Sequence, residues 1–295
     1  MMNFKSPGIQ ITKAVSIAAG TTEPNPYGPG HSAPLPAYCR VEGVINHRIG
    51  IGGEEFGIHF ALAMPDKWNG DFLMQGGGGG NGVVFPPLAL TAAGDTPGLV
   101  RGFAVVSTDT GHTSHRGPFD FDFMKDQQAY LDFAYLANAQ VAPLARQVIA
   151  QYYGKPAAYS YFAGCSTGGR EGMIVSQRYP GTFDGIISGD PAMRTGLSNL
   201  AIGKWIPVAF NQIAPKDAEG KPIIAQAITD ADRKLIIDSL LKQCDAKDGV
   251  ADGMISDPLA CDFDPAALTC KEGKTTDSCL TPDKVAAHLF PSGQR

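Results

Sequence analysis

The residues most able to do chemistry form the run Gly164-Cys165-Ser166-Thr167-Gly168-Gly169-Arg170. It contains G-x-S-x-G, which suits a serine placed where a strand turns sharply into a helix. Small flanking residues let the helix pass close to the strand, and the hydroxyl projects above the sheet within reach of a histidine base. The N–H of Thr167, at the start of the helix, then points at the charge that develops on the substrate oxygen. Glycine and serine are common, so the letters alone also fit a glycine-rich turn with no chemistry. The context favours the nucleophile. An apolar strand pattern over 159–163 precedes the serine, and a helical pattern over 169–177 follows it.

A second candidate is the glycine run 76–80, which follows a short apolar strand pattern at 71–75. It can bring a backbone N–H to the same oxyanion, and Gly78 at its centre is the residue selected for that role. A phosphate-binding loop is the rival reading. No Lys-Ser/Thr follows the run, and a G-x-G-x-x-G match inside poly-glycine is incidental. A plain flexible loop stays open.

The third constellation is acidic: Cys244-Asp245-Ala246-Lys247-Asp248-Gly249-Val250-Ala251-Asp252-Gly253-Met254-Ile255-Ser256-Asp257. Asp245, Asp248 and Asp252 are hard oxygen donors on one glycine-bent loop. The carbonyls of Val250 and Met254 can complete a Ca²⁺ shell. The spacing is not that of an EF-hand, and a solvated acidic loop has the same composition.

These groups need a scaffold, and the chain has the means to build one. Of its 295 residues 43% are hydrophobic and 18% charged, which allows a sizeable core. The net charge of −5, with no Lys/Arg block, argues against a nucleic-acid partner. No stretch approaches the roughly 18 apolar residues of a membrane span. No secretory signal is visible at the start. Strand patterns are expected at 9–17, 41–45, 57–63, 71–75, 103–107, 159–163 and 183–188. A long helical pattern over 126–152 carries its apolar residues three and four apart, with Pro143 expected to kink or divide it. The alternation predicts an α/β sheet, parallel in this region. Residues 193–228 read as irregular. Thr229, with Asp232 three residues on, opens a helix to about residue 243. Four of the six cysteines crowd the last 52 residues, with no zinc spacing, and read as local disulfides or as buried thiols.

The elbow, together with Gln177-Arg178-Tyr179-Pro180 and Phe183-Asp184-Gly185-Ile186-Ile187, resembles the tannase and feruloyl esterase family. That family includes the mono(2-hydroxyethyl) terephthalate hydrolases. Tyr38-Cys39-Arg40-Val41-Glu42-Gly43, Trp68-Asn69-Gly70 and Ser107-Thr108-Asp109-Thr110-Gly111-His112 agree with it, and the resemblance covers about residues 35–290. It implies an α/β-hydrolase core with an inserted calcium-binding lid. The expected layout is a lead-in over 1–34, a core over 35–192 and a partial lid over 193–295, with its calcium loop at 244–257.

The same resemblance strengthens the calcium reading. Cys244 and Cys261 bracket the loop and are expected to pair, leaving Cys270 with Cys279. In the family, the cysteine before the serine pairs with one directly after the catalytic histidine. Cys165 matches the first of these, and its partner is not in this sequence. The family's Asp and His follow the serine. Here only His288 does, with no cysteine beside it. His112 and His115 read as loop or pocket residues and Asp190 as a turn acid. The expectation is therefore a chain cut short, inactive alone, and drawn from a secreted or periplasmic enzyme. That enzyme would hydrolyse small esters of aromatic or phenolic acids through a Ser166 acyl-enzyme. A non-catalytic calcium-binding fragment and an acyltransferase with the same elbow are the rivals.

Overall fold

The computed structural model describes residues 7–25, 29–89, 96–194, 206–271 and 278–289. They belong to two compact units, Met1–Met193 and Arg194–Arg295.

The first unit is built on one seven-stranded sheet. Its strands are β1 (Ile9–Ile17), β2 (Tyr38–Ile49), β3 (Glu55–Pro65), β4 (Phe72–Gln75), β5 (Ala104–Thr108), β6 (Ser160–Cys165) and β7 (Gly185–Gly189). Their spatial order is β1-β2-β3-β5-β4-β6-β7. The pairs β1–β2, β2–β3 and β3–β5 are antiparallel. From β5 through β4 and β6 to β7 the sheet is parallel. The strand pattern at 9–17 thus joins the sheet as β1, beside β2.

Side-chain alternation sorts the strand residues onto two faces. Leu62, Met64, Phe72, Met74, Val106 and Phe162 enter one core with Val141, Ala145 and Val148. Their chain neighbours Ala63, Leu73, Val105 and Ala163 enter the other, with Leu35, Leu88 and Leu99. All five residues of β5 are buried, which is why a continuous apolar run encodes it. Each large side chain so buried contributes about 1.5–3 kcal/mol.

The long helical pattern is realised as α1 (Gln127–Leu131), a widened π-type turn (Asp132–Leu136) and α2 (Ala137–Tyr153). Asp126 caps α1 by accepting the Ala129 N–H at 3.0 Å and also holds Arg48 of β2. Pro143 does not divide α2. Its buried face, including Val141, Ala142, Leu144 and Ala145, holds the helix together across the missing N–H. The irregularity lies upstream, in the widened turn. α3 (Thr167–Arg178) follows β6 directly.

In the second unit, α4 (Ile206–Ile213) occupies part of the stretch read as irregular. Its short apolar run was ambiguous in periodicity, and Pro207 in the first turn is compatible with a helix. α5 (Asp230–Cys244) begins with a full capping box between Thr229 and Asp232. Lys284 of α6 (Pro282–Leu289) pairs with Asp232. Two disulfides, Cys244–Cys261 and Cys270–Cys279, close the loops after α5. Among the described residues, no helix is long and apolar enough to cross a membrane.

Candidate active site

Ser166 sits between β6 and α3 with φ 59° and ψ −117°, a conformation that costs a non-glycine residue energy. Three backbone bonds impose it. The Ser166 N–H donates to Gly189 O at 3.1 Å, and Ser166 O accepts the N–H groups of Arg170 and Ala192, both at 3.0 Å. Both Ser166 and Cys165 are exposed, and Cys165 is a free thiol.

The flanking glycines are there for contact. A Cβ on Gly164 would lie 2.5 Å from the carbonyl carbon of Gly168, and one on Gly76 would lie 2.7 Å from Gly168 Cα. Three backbones therefore meet at the start of α3, and only hydrogen side chains fit among them.

The glycine run is bonded to this elbow and, through Gly80, to the loop after β5. Gly76 N–H donates to Ala163 O (2.8 Å), Gly168 N–H to Gly77 O (2.9 Å) and Gly80 N–H to Pro118 O (2.7 Å). The Thr167 hydroxyl donates to Gly79 O. Gly77 N–H reaches the Glu171 carboxylate at 3.4 Å. The N–H groups of Gly78 and Gly79 make no hydrogen bond among the described residues. The Thr167 N–H, the first of α3, makes none either, having no partner within the helix. Uncommitted donors thus lie in the two segments that these bonds join.

Glu171 escapes a reading by motif. It is 2% exposed and also accepts Asn81 Nδ2 at 2.6 Å and Asn138 Nδ2 at 3.2 Å. Burial pushes its pKa upward. No motif in the sequence marks it; it is an acid four residues after Thr167. Arg170 beside it donates to the carbonyls of Phe133 (3.2 Å) and Ala134 (3.3 Å) in the widened turn, and stacks 4.4 Å over the Phe133 ring.

The histidines lie elsewhere. His112 is buried and stacked on Phe123 with ring centres 3.5 Å apart, and burial lowers its pKa to about 4. His115 is exposed, and its backbone N–H binds Asp120. His59 on β3 is bound through Nδ1 to the buried Asp109 at 2.6 Å, a pairing that raises the His59 pKa and that no motif suggested. Two strands, β5 and β4, separate β3 from β6. Asp190 is exposed just beyond β7, with φ 38°. The side chain of His288 lies outside the described residues. Among the described residues, no side chain hydrogen-bonds the Ser166 hydroxyl.

In the acidic loop, Asp245 Oδ1 accepts the N–H groups of Gly253 (2.9 Å) and Asp252 (3.3 Å). Asp248 accepts those of Ser256 (2.7 Å) and Val250 (3.1 Å), which lower its pKa. Asp252 accepts that of Met254 at 3.0 Å. Among the described residues, no three acidic, histidine or cysteine groups gather as a metal cluster. The side-chain donors of the loop, and the carbonyls of Val250 and Met254, are all oxygens, the donor type that Ca²⁺ takes. The Cys244–Cys261 disulfide closes the segment that carries them.

A mixed sheet whose parallel half turns through a strained serine into a helix, with a glycine loop bonded across the turn, is the α/β-hydrolase type of construction. The chain belongs to the tannase and feruloyl esterase family, whose model matches residues 39–290. It is 39% identical over 274 residues to a mono(2-hydroxyethyl) terephthalate hydrolase of Piscinibacter sakaiensis, covering 87% of this chain and 45% of that protein. It is 33% identical over 282 residues to a probable feruloyl esterase of Arthroderma benhamiae, covering 93% of this chain and 49% of that one. Among solved structures, feruloyl esterase B from Aspergillus oryzae superposes with a TM-score of 0.74 at 25% identity, covering 97% of this chain and 53% of the other. The chain therefore spans about half the length of these relatives.

Proposed function

We propose that this chain carries the nucleophile of a carboxylic ester hydrolase acting on esters of aromatic or phenolic acids. The observation that best supports this is the strained Ser166 turn bonded to a glycine run whose Gly78 N–H is uncommitted. In this reading Ser166 Oγ attacks the ester carbonyl carbon and its proton passes to a base. The N–H groups of Thr167 and Gly78 receive the oxyanion. Collapse expels the alcohol, which takes the proton from the base. Water then releases the acid from the acyl-enzyme and restores Ser166. The aromatic acyl class rests on the relatives, one named for a terephthalate ester and the other for feruloyl esters.

The base in this proposal is a histidine oriented by an aspartate, both from outside residues 1–295. Two observations support that. His112 is buried with a lowered pKa, and His59 stands on β3, with β5 and β4 between it and β6. The Cys165 thiol is free to pair with a cysteine beside that histidine.

We also propose that Asp245, Asp248, Asp252 and the carbonyls of Val250 and Met254 hold a structural Ca²⁺, a fixed charge that would cross-link the loop. The two disulfides support an oxidising compartment, secreted or periplasmic.

The test of the nucleophile is Ser166→Ala in the natural full-length enzyme, assayed on a phenolic methyl ester. Turnover should fall by roughly 10⁴-fold or more. Near-normal turnover would refute the assignment. Residues 1–295 alone should show no turnover; robust activity that Ser166→Ala removes would place the base within them.

A further inference from the structure

We propose that Glu171 is the positioning residue that sets the oxyanion donor of the glycine loop, a role that rests on Ser166 being the nucleophile. Glu171 lies one helical turn beyond Thr167, so the two share a face of α3. A helical side chain leans back toward the N-terminus, which carries this carboxylate onto the glycine run. There it binds the loop on either side of Gly78, through the N–H of Gly77 at 3.4 Å and the amide of Asn81 at 2.6 Å. Asn138 of α2 holds the carboxylate from behind at 3.2 Å.

Five consecutive glycines have the widest backbone freedom a chain can have. A donor that wanders does little for a transition state, since a displacement of about 1 Å costs on the order of 100-fold in rate. Glu171 ties the loop to the same helix that carries the Thr167 N–H. Gly78 and Thr167 thereby share one rigid frame.

The chemistry of the contacts explains why a carboxylate occupies a site that is 2% exposed. Burying it is costly, and an apolar residue would avoid that cost. All three neighbours, however, are donors: a backbone N–H and two side-chain amides. Only an acceptor-only group can meet all three. A glutamine of the same size offers one oxygen and turns an NH₂ toward another donor.

The experiment compares kcat, KM and melting temperature of the full-length enzyme with those of three variants. Glu171→Gln keeps the volume and should lower kcat by about 10- to 100-fold, with KM changed by less than about threefold. Asn81→Ala cuts the loop's own contact and should move kcat the same way, so it decides the matter if Glu171→Gln does not fold. The double variant Glu171→Gln with Asn81→Asp exchanges donor and acceptor and rebuilds the link between loop and helix. It should recover a large part of the lost kcat. Unchanged kcat in the single variants, whatever their melting temperatures, would overturn the proposal. So would a double variant no faster than Glu171→Gln. Ser166→Ala runs alongside. If it retains turnover, the ester-hydrolase reading fails and this role with it. If it is inactive while the Glu171 and Asn81 variants keep their kcat, only the positioning role fails.

Discussion

Alanine at Gly168 and alanine at Gly172 should have opposite effects, although the two lie one turn apart on α3. A Cβ on Gly168 would sit 2.8 Å from Gly77 O, 3.0 Å from Gly76 C and 3.1 Å from Gly76 Cα. Every one of those atoms is backbone, so no rotamer change can relieve the contact, and the helix and the glycine loop must separate. Overpacking of this kind costs about 1–3 kcal/mol. The separation also weakens the Gly168 N–H bond to Gly77 O, worth about 1 kcal/mol. Replacing glycine by alanine in a helix returns about 1 kcal/mol. The balance is a loss of roughly 1–3 kcal/mol.

At Gly172 the nearest atoms are Ile186 Cγ2 and Ser188 Cβ at 3.3 Å and Phe162 Cε1 at 3.4 Å. These are side chains that can yield by tenths of an ångström. The helix-propensity gain should prevail there, for up to about 1 kcal/mol of added stability. At roughly 2–4 °C per kcal/mol for a unit of this size, Gly168→Ala lowers Tm by about 2–12 °C. Gly172→Ala leaves Tm unchanged or raises it by up to about 4 °C. Thermal melting followed by circular dichroism, at one pH and one calcium concentration, measures both. If Gly168→Ala melts at or above the parent temperature, the three backbones do not meet as described, and the geometry argued for the elbow is wrong.

Chelation should lower the Tm of protein containing the acidic loop, and replacing Asp245 and Asp248 together by alanine should abolish that sensitivity. Metal analysis finding no bound calcium in the purified protein would refute the site. His112 makes stability depend on pH. Its pKa is about 4 when folded against 6.5 ordinarily, so between those values the unfolded chain binds more protons. Its stabilising contribution is therefore complete above about pH 6.5 and is lost as pH falls toward 4, amounting to about 3 kcal/mol. His112→Phe, which can keep the stack on Phe123, should flatten that part of the stability profile. An identical slope in the two proteins would show that His112 does not titrate as described.

The sheet was legible where burial forces a simple pattern. The apolar run that became β5 and the strand-turn-helix around Ser166 both follow from backbone geometry that few residues satisfy. Pro143 does not divide its helix, because a local rule about proline met a helix with a long buried face. The helix at Ile206–Ile213 was missed because so short an apolar stretch carries too few turns to show a period. The serine and the glycine run could be found because glycine at a close approach leaves a mark in the sequence. Glu171 and the His59–Asp109 pair could not. Each is defined by partners far along the chain, brought together only by the sheet order. A lone acid or histidine among ordinary neighbours carries no sign of that.

The division of the sheet into an antiparallel and a parallel half has a consequence for how the chain acquires its structure. β1 pairs with β2 and β2 with β3, each the next strand in sequence, so each of these closures spans a modest loop. β4 pairs with β5 and then with β6, which arrives only after the whole length of α1 and α2. Pairings between distant segments form slowly, because chain entropy must be lost before any contact compensates for it. During synthesis the meander can therefore assemble early, while one side of β4 waits for β6. The Ser166 turn, at the end of β6, takes its place only with that pairing. A newly made chain would have a sheet before it had the Ser166 turn, and an agent that captures the waiting strand would keep that turn from forming without touching the serine.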